Sequence, residues 1–389
     1  MKFRKLKADK IFDGYKFIED KVLIISESGI IEEVVPVENA GDGIENFNGI
    51  LCPGFINCHC HLELSHMKGL IPEKTGLVDF VFKIVTERHH SEEEILEAIA
   101  QAEDEMLNNG IVAVGDICNN ALTIPQKQKA RLRYYNFIEA SGWLPSVSQL
   151  RFERSKNLSQ EFAILNSPFS IVPHAPYSVS KNLWNKIQPH FANKVVTIHN
   201  QETAFEDEFF LNGGGDLTRM YKLMKIDNTH HEPTKRSSLQ SYFDTLEKAK
   251  NTILVHNTFI KEEDVHYIKL QTHHDSYRDK LKTFFCLCVN ANRYIEDVLP
   301  PINMLRQNNC AIVLGTDSLA SNWSLNILDE VKTIQKNLPL IPLDEILQWA
   351  TINGAMALEL NDQLGTFEKG KKPGVVLINE NSISCKRLI

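Results

Sequence analysis

A chain of 389 residues is too long for one small module: at roughly 100–200 residues per domain it holds about two, or an α/β barrel of about 250 residues with about 140 left over. Its 43% hydrophobic and 24% charged residues, with 19 glycines and 15 prolines, describe a globular protein with a large core and exclude collagen-like or largely disordered architectures. With 42 basic against 50 acidic residues the formal net charge is −8, so the overall field repels phosphate backbones and anionic headgroups, and neither nucleic acid nor membrane is an expected partner.

The basic start, Met1 to Lys10, leads into no apolar segment of signal-peptide type, and no run approaches 18 apolar residues. A cytoplasmic location is expected. The eight cysteines lack the framework of a small secreted domain and read as reduced thiols. Up to Ile50 the chain alternates short β-type runs, Val22 to Ser26 and Ile30 to Val35, with turns at Asp13-Gly14 and Gly41-Asp42-Gly43. Near the other end, turn residues from Gly365 feed Val375-Val376-Leu377-Ile378. The two ends, residues 1–50 and 359–389, are expected to form one small discontinuous β-sandwich around a central 51–358 unit.

In that central unit apolar runs alternate with helical stretches, the signature of βα repeats and a parallel sheet. Eight strands are predicted: Ile56 to His59, Ile111 to Gly115, Arg133 to Ile138, Phe169 to Val172, Val195 to His199, Thr252 to His256, Thr283 to Val289 and Ala311 to Gly315. The clearest helix is Ser91 to Asn108, where Ser91 and Glu94 suggest a capping box, Ile95, Ile99 and Ala102 share one face, and Asn109-Gly110 ends the run. Two long connections interrupt the rhythm, Leu62 to His90 and Thr203 to Lys250, and segments of that length usually serve a functional site. Within the second, Gly213 to Ser238 is expected to shape a lid.

Several predicted strands end in a titratable residue: His59-Cys60-His61, His174, His199, His256 and Asp317. In a parallel barrel these ends face one mouth, so residues more than 250 positions apart converge. His59 and His61 point to the same side of an extended segment because the strand period is two. With His199 and Asp317 they make a nitrogen and oxygen donor set for Zn²⁺ or Fe²⁺. Glu202, three residues after His199, can reach a water activated there and move its proton. Cys58, Cys60, Cys286 and Cys288 form two Cys-x-Cys pairs that offer a competing metal site, although in a strand Cys58 and Cys60 face away from His59. The pairs His89-His90, His230-His231 and His273-His274 fall in polar loops and read as solvated or lid residues.

These residues together resemble the amidohydrolase superfamily, in its chlorohydrolase and nucleoside-deaminase branch. The resemblance runs through Pro53-Gly54-Phe55-Ile56-Asn57-Cys58-His59-Cys60-His61-Leu62-Glu63-Leu64-Ser65, Pro173-His174-Ala175-Pro176-Tyr177, Ile198-His199 with Glu202, Val255-His256-Asn257 and Leu314-Gly315-Thr316-Asp317-Ser318. It implies a (β/α)₈ barrel with one divalent ion, zinc ahead of iron, held by His59, His61, His199 and Asp317. It further implies Glu202 as proton shuttle, His256 and Asp317 acting on the attacking water, Glu63 and His174 contacting substrate, and a homodimer. The implied activity is release of ammonia from an adenine nucleoside, as in the deaminases of S-adenosylhomocysteine, methylthioadenosine and aminodeoxyfutalosine. Alternatives are the same chemistry on guanine, a pterin, a triazine, a cyclic amide or a halide, or a catalytically silent binding barrel. One departure stands out: Cys288-Val289-Asn290-Ala291-Asn292 lacks the Pro and Ser that this branch often carries after strand seven.

Overall fold

The computed structural model describes residues 3–273, 282–379, 382 and 384–389. Both chain ends enter two small sheets. One has the order Ile31–Pro36, Lys21–Ser26, Phe3–Lys7, Ile44–Asn46. The other runs Ser384–Arg387, Val375–Asn379, Ile50–Pro53, Lys10–Phe12, Phe17–Ile18. Leu6, Leu23, Ile25, Leu51 and Val375 pack into one buried cluster between them. The strand Ile50–Pro53 pairs with Val375–Asn379, Leu51 opposite Leu377, and so belongs to the small sheets; Gly54 then hands the chain to the central unit.

Among the described residues, that unit contains eight parallel strands in two sets of four. Phe55–Cys60, Ile111–Cys118, Arg133–Ala140 and Phe169–Pro173 pair in sequence, as do Val195–Asn200, Asn251–His256, Lys282–Leu287 and Ala311–Leu314. At one edge the sets meet through a parallel bridge between Cys60 and Asp317 and through the N–H groups of Thr316 and Asp317, both donating to the His59 carbonyl at 3.0 Å. At the other edge the His199 N–H donates to the His174 carbonyl at 2.9 Å. The strands are buried on both faces, which explains their continuous apolar runs. Among the described residues, no helix is long and apolar enough to cross a membrane.

Local signals act as the sequence suggests at Glu92–Asn108: Ser91 and Glu94 form a reciprocal capping box, and Ile95, Ile99 and Met106 are buried. Each such side chain contributes about 1.5–3 kcal/mol of apolar burial. Gly315 meets a different demand. A Cβ there would stand 2.8 Å from Cys286 Sγ and 2.9 Å from His59 Cβ, so only glycine lets the last strand pass beside the first. The eight cysteines are all free.

The second strand carries a buried ion pair. Lys127 Nζ lies 2.5 Å from Asp116 Oδ2 and 2.8 Å from Asn136 Oδ1, with the Tyr134 and Phe162 rings 4.9 Å away. The other Asp116 oxygen accepts the Leu62 N–H at 2.9 Å, anchoring the chain just past His61. Replacing one partner strands a charge in the core, so Lys127→Met is expected to cost about 3–5 kcal/mol in urea unfolding. Adding Asp116→Asn should recover much of that loss. A loss below about 1 kcal/mol for the single variant would mean that water reaches Asp116 after all.

Candidate active site

The strand ends bring His59, His61, His199 and Asp317 together, all four buried, with one donor atom from each within 4.8 Å of the others. His61 Nε2 is 3.1 Å from His59 Nε2, 3.3 Å from His199 Nε2 and 3.3 Å from Asp317 Oδ1. His59 Nε2 lies 3.5 Å from the same oxygen. Four ligands around a tetrahedral Zn²⁺ at about 2.0–2.1 Å stand about 3.3–3.4 Å from one another, so the donor set has the right size. Its protonation fits as well. His199 Nδ1 is 2.7 Å from the His174 carbonyl, which can only accept, so Nδ1 carries the hydrogen and Nε2 keeps its lone pair. Burial lowers the pKa of all three imidazoles, that of His61 to about 4. Burial pushes the Asp317 carboxyl up, but the imidazoles of His59, His61 and His256 hold it well below the usual range. Lone pairs converging on one point in a dry site call for a cation.

Backbone strain aims these groups. Gln201, His256, Asn257 and Asp317 all adopt positive φ, of 44°, 71°, 56° and 59°, a left-handed bend at the strand ends that Asn, Asp and His tolerate better than most residues. Ser321 Oγ donates to Asp317 Oδ2 at 2.6 Å, leaving Oδ1 turned to the imidazoles. His256 Nδ1 is 2.7 Å from Asn292 Oδ1; since that oxygen only accepts, His256 Nε2 is a free acceptor, 3.6 Å from Glu202 Oε1. Burial raises the Glu202 carboxyl well above its usual range, and the Asp317 charge adds to the shift. The Glu206 carboxylate accepts the N–H groups of Gln201 at 3.0 Å and Glu202 at 3.2 Å, and so fixes the turn that carries Glu202.

The cavity over this cluster measures about 840 Å³ including its open mouth, and its lining takes in His61, His199, Glu202, His256 and Asp317. Glu63 and His174 line it too. Glu63 is buried and accepts the Asn119 N–H at 2.9 Å; burial pushes its carboxyl up to about 7, with the Asn119 hydrogen bond and the Arg88 charge pulling back. His174 Nδ1 sits 2.6 Å from Glu139 Oε1. Burial alone would lower the His174 imidazole, but the Glu139 carboxylate raises it.

Sequence reasoning missed Glu139, Asn292, Glu206 and Ser321. Glu139 was within reach: the third strand was expected to end at Ile138 and runs to Ala140. Asn292 lies in the departing Cys-Val-Asn-Ala-Asn segment. There strand seven stops at Leu287 and Val289 already opens a short helix, Val289–Ile295. The lid is also a different one. No residue of Gly213 to Ser238 is in the cavity lining; helix Leu77–Glu87 from the first connection covers it. The insert braces that helix instead, through Arg219 to Asp79 at 2.9 Å and by packing Leu217, Met220 and Tyr221 into one buried cluster with Leu77, Val78 and Phe80; Tyr221 Oη also donates to the Tyr177 carbonyl, in the turn Pro176–Ser178, at 2.5 Å. His231 is not solvated but stacks on Phe209 with ring centroids 4.0 Å apart, and His230 and His231 both contact Trp143. His274 lies outside the described residues. Among the described residues, no metal-capable group includes the Cys-x-Cys pairs.

The model of the amidohydrolase family matches residues 50–386 of the chain. An adenosine deaminase of Helicobacter pylori is 26% identical over 340 residues, 86% of this chain and 80% of that protein. A 5-methylthioadenosine/S-adenosylhomocysteine deaminase of Desulforamulus reducens is 24% identical over 384 residues, 93% and 81% of the two chains. Among solved structures, the aminofutalosine deaminase of Helicobacter pylori in complex with methylthio-coformycin superposes with a TM-score of 0.76 at 23% identity, covering 97% of this chain and 93% of that one. That last likeness is one of fold.

Proposed function

The chain belongs to the amidohydrolase family, and from that premise we propose that it is a metal-dependent hydrolase of C–N bonds that releases ammonia from an adenine nucleoside. One observation carries the reading: a buried donor set of three imidazoles and a carboxylate shares a cavity with a non-ligating glutamate and a fourth imidazole. The named activities of the similar deaminases support it. The working unit is the segment expected at 51–358, whose parallel strands begin at Phe55 because Ile50–Pro53 pairs into the small sheets, flanked by the parts from 1–50 and 359–389; the family likeness implies a homodimer, and the sequence a cytoplasmic location.

In this reading His59, His61, His199 and Asp317 hold one divalent ion, with zinc ahead of iron because the set suits a four-coordinate site. When bound, the ion supplies Lewis-acid polarisation and brings the pKa of water down to about 7. The chain's own groups handle the protons. Asp317, oriented by Ser321, takes a proton from the attacking water, and His256 Nε2 accepts a hydrogen bond that steadies it. Burial raises the Glu202 carboxyl well above its usual range, which favours its protonated form, and Glu202 delivers a proton to the departing amine. A C–O bond forms at the ring carbon, the C–N bond breaks, and ammonia leaves. Glu63 and His174 contact the substrate. Zinc-loaded protein is expected to release ammonia from adenosine or a 5′-substituted adenosine, with the ultraviolet shift from adenine to hypoxanthine. Turnover of guanine or a pterin in place of every adenine nucleoside would overturn the substrate assignment, and turnover of none of them would overturn the deaminase reading.

A further inference from the structure

The backbone of His174 is tied down several times over, but its ring is hydrogen-bonded only once. The His174 N–H donates to the Ala140 carbonyl at 3.2 Å, and its carbonyl accepts the His199 N–H at 2.9 Å and His199 Nδ1–H at 2.7 Å. Among the described residues, the imidazole has a single hydrogen-bond partner, Glu139 Oε1, 2.6 Å from Nδ1. The ring also packs on that of His199, with centroids 4.5 Å apart, a contact that a half-turn about the Cβ–Cγ bond would preserve. That torsion is broad and two-fold in histidine, so the bond to Glu139 decides which edge of the ring faces the cavity. Glu139 is itself firmly seated. It lies on strand Arg133–Ala140 in register with Val172, and its backbone carbonyl accepts Ser155 Oγ at 3.0 Å. Its second oxygen accepts Asn119 Nδ2 at 2.8 Å, and the Asn119 N–H holds Glu63 at 2.9 Å.

We infer that Glu139 is a positioning residue that fixes the ring orientation and tautomer of His174, so that Nε2 is the atom presented to the substrate. The inference rests on the proposed function, in which His174 contacts the nucleoside. A carboxylate that accepts an amide hydrogen at one oxygen accepts at the other as well, so Nδ1 carries a hydrogen and Nε2 turns to the cavity. Glu139 acts through His174 rather than by touching substrate: its side chain is 3% exposed, against 29% for that of His174, and both its oxygens are engaged. Oε1 also lies 3.8 Å from His199 Nδ1, beyond hydrogen-bond reach, and that hydrogen already goes to the His174 carbonyl. A ring released from Glu139 has to be reordered each time substrate binds, a cost that falls on binding rather than on the chemical step. Through Asn119, the same chain of bonds ends on Glu63, so the two substrate-contacting groups share one support.

The test uses zinc-loaded full-length protein with adenosine as the probe, and compares Glu139→Ala, His174→Ala and the double variant. Steady-state kinetics, calorimetric Kd, bound zinc and the imidazole signals in ¹H–¹⁵N spectra are measured. Glu139→Ala is expected to raise KM and Kd by about 10- to 100-fold, the worth of one hydrogen bond to a charged group, with little change in kcat or zinc content. In the His174→Ala background the same substitution should cost nothing further. Glu139→Gln keeps an acceptor for Nδ1 and should recover most of the loss. Wild-type protein should show a slowly exchanging, low-field Nδ1–H signal that both single alanine variants lack. Absence of that signal from wild-type protein, its survival in Glu139→Ala, loss of zinc in Glu139→Ala, or losses that add in the double variant would each overturn the positioning role. Ammonia release by wild-type protein without coupling between the two residues would remove that role and leave the deaminase reading. The Nδ1–H signal and coupled losses in Kd with no ammonia released would do the reverse.

Discussion

Glu202→Gln is expected to lower kcat by about 10²- to 10⁴-fold with little change in KM and no loss of bound metal, the magnitude of a general acid–base group. The substitution is nearly isosteric, and the backbone N–H of residue 202 keeps its bond to Glu206. Burial raises the wild-type carboxyl well above the usual carboxylate range, so it penalises the charged form and a neutral amide suits the same pocket. What disappears is the carboxyl oxygen, Oε1, that lies 3.6 Å from His256 Nε2 and can carry a transferable proton. Steady-state kinetics together with metal analysis check this. Full turnover by a metal-loaded variant would show that another group protonates the amine.

Exhaustive dialysis against a strong chelator is expected to abolish activity, and about one equivalent of zinc should restore it. The reason lies in the donor atoms: three imidazole nitrogens and Asp317 Oδ1 converge at 3.1–3.5 Å and repel one another unless a cation sits among them. Binding only to the folded state also stabilises it, by about 2.7 kcal/mol at a free metal concentration 100 times Kd, so melting should shift with added zinc. His199→Ala removes the ligand whose tautomer the His174 carbonyl enforces, and that variant should retain no stoichiometric metal. Full turnover by metal-free protein would sink the assignment.

Much of this site is legible in the sequence because barrel geometry converts a one-dimensional rule into a three-dimensional one. A titratable residue at the end of each parallel strand must face the mouth, and period-two alternation puts His59 and His61 on one side. The capping box at Ser91 and Glu94 is legible for a similar reason, since its partners are three residues apart. Asn292 shows where such reading stops. Its value lies in one hydrogen bond to His256, 36 positions away, and no spacing in the chain announces it. Glu206 was hidden differently: a glutamate four residues after a glutamate looks like a solvated helix face until its oxygens are found on the N–H groups of Gln201 and Glu202.

The lid marks the same division. Two long connections are visible in the sequence, but nothing in their composition says which covers the cavity. Packing decides it: helix Leu77–Glu87 takes the inner place, and the insert after Thr203 braces it through the Arg219–Asp79 ion pair and the buried cluster that includes Tyr221. The sequence by itself determined the parallel α/β architecture, the metal-capable quartet and the glutamate beside it, because each follows from a local period or a strand end. Only the tertiary structure decided the tautomers of His199 and His256, the ion pair beneath Leu62 and the choice of helix Leu77–Glu87 as the wall of the cavity. Those properties depend on which atoms distant segments place within a few ångströms of one another, and local periodicity carries no record of that.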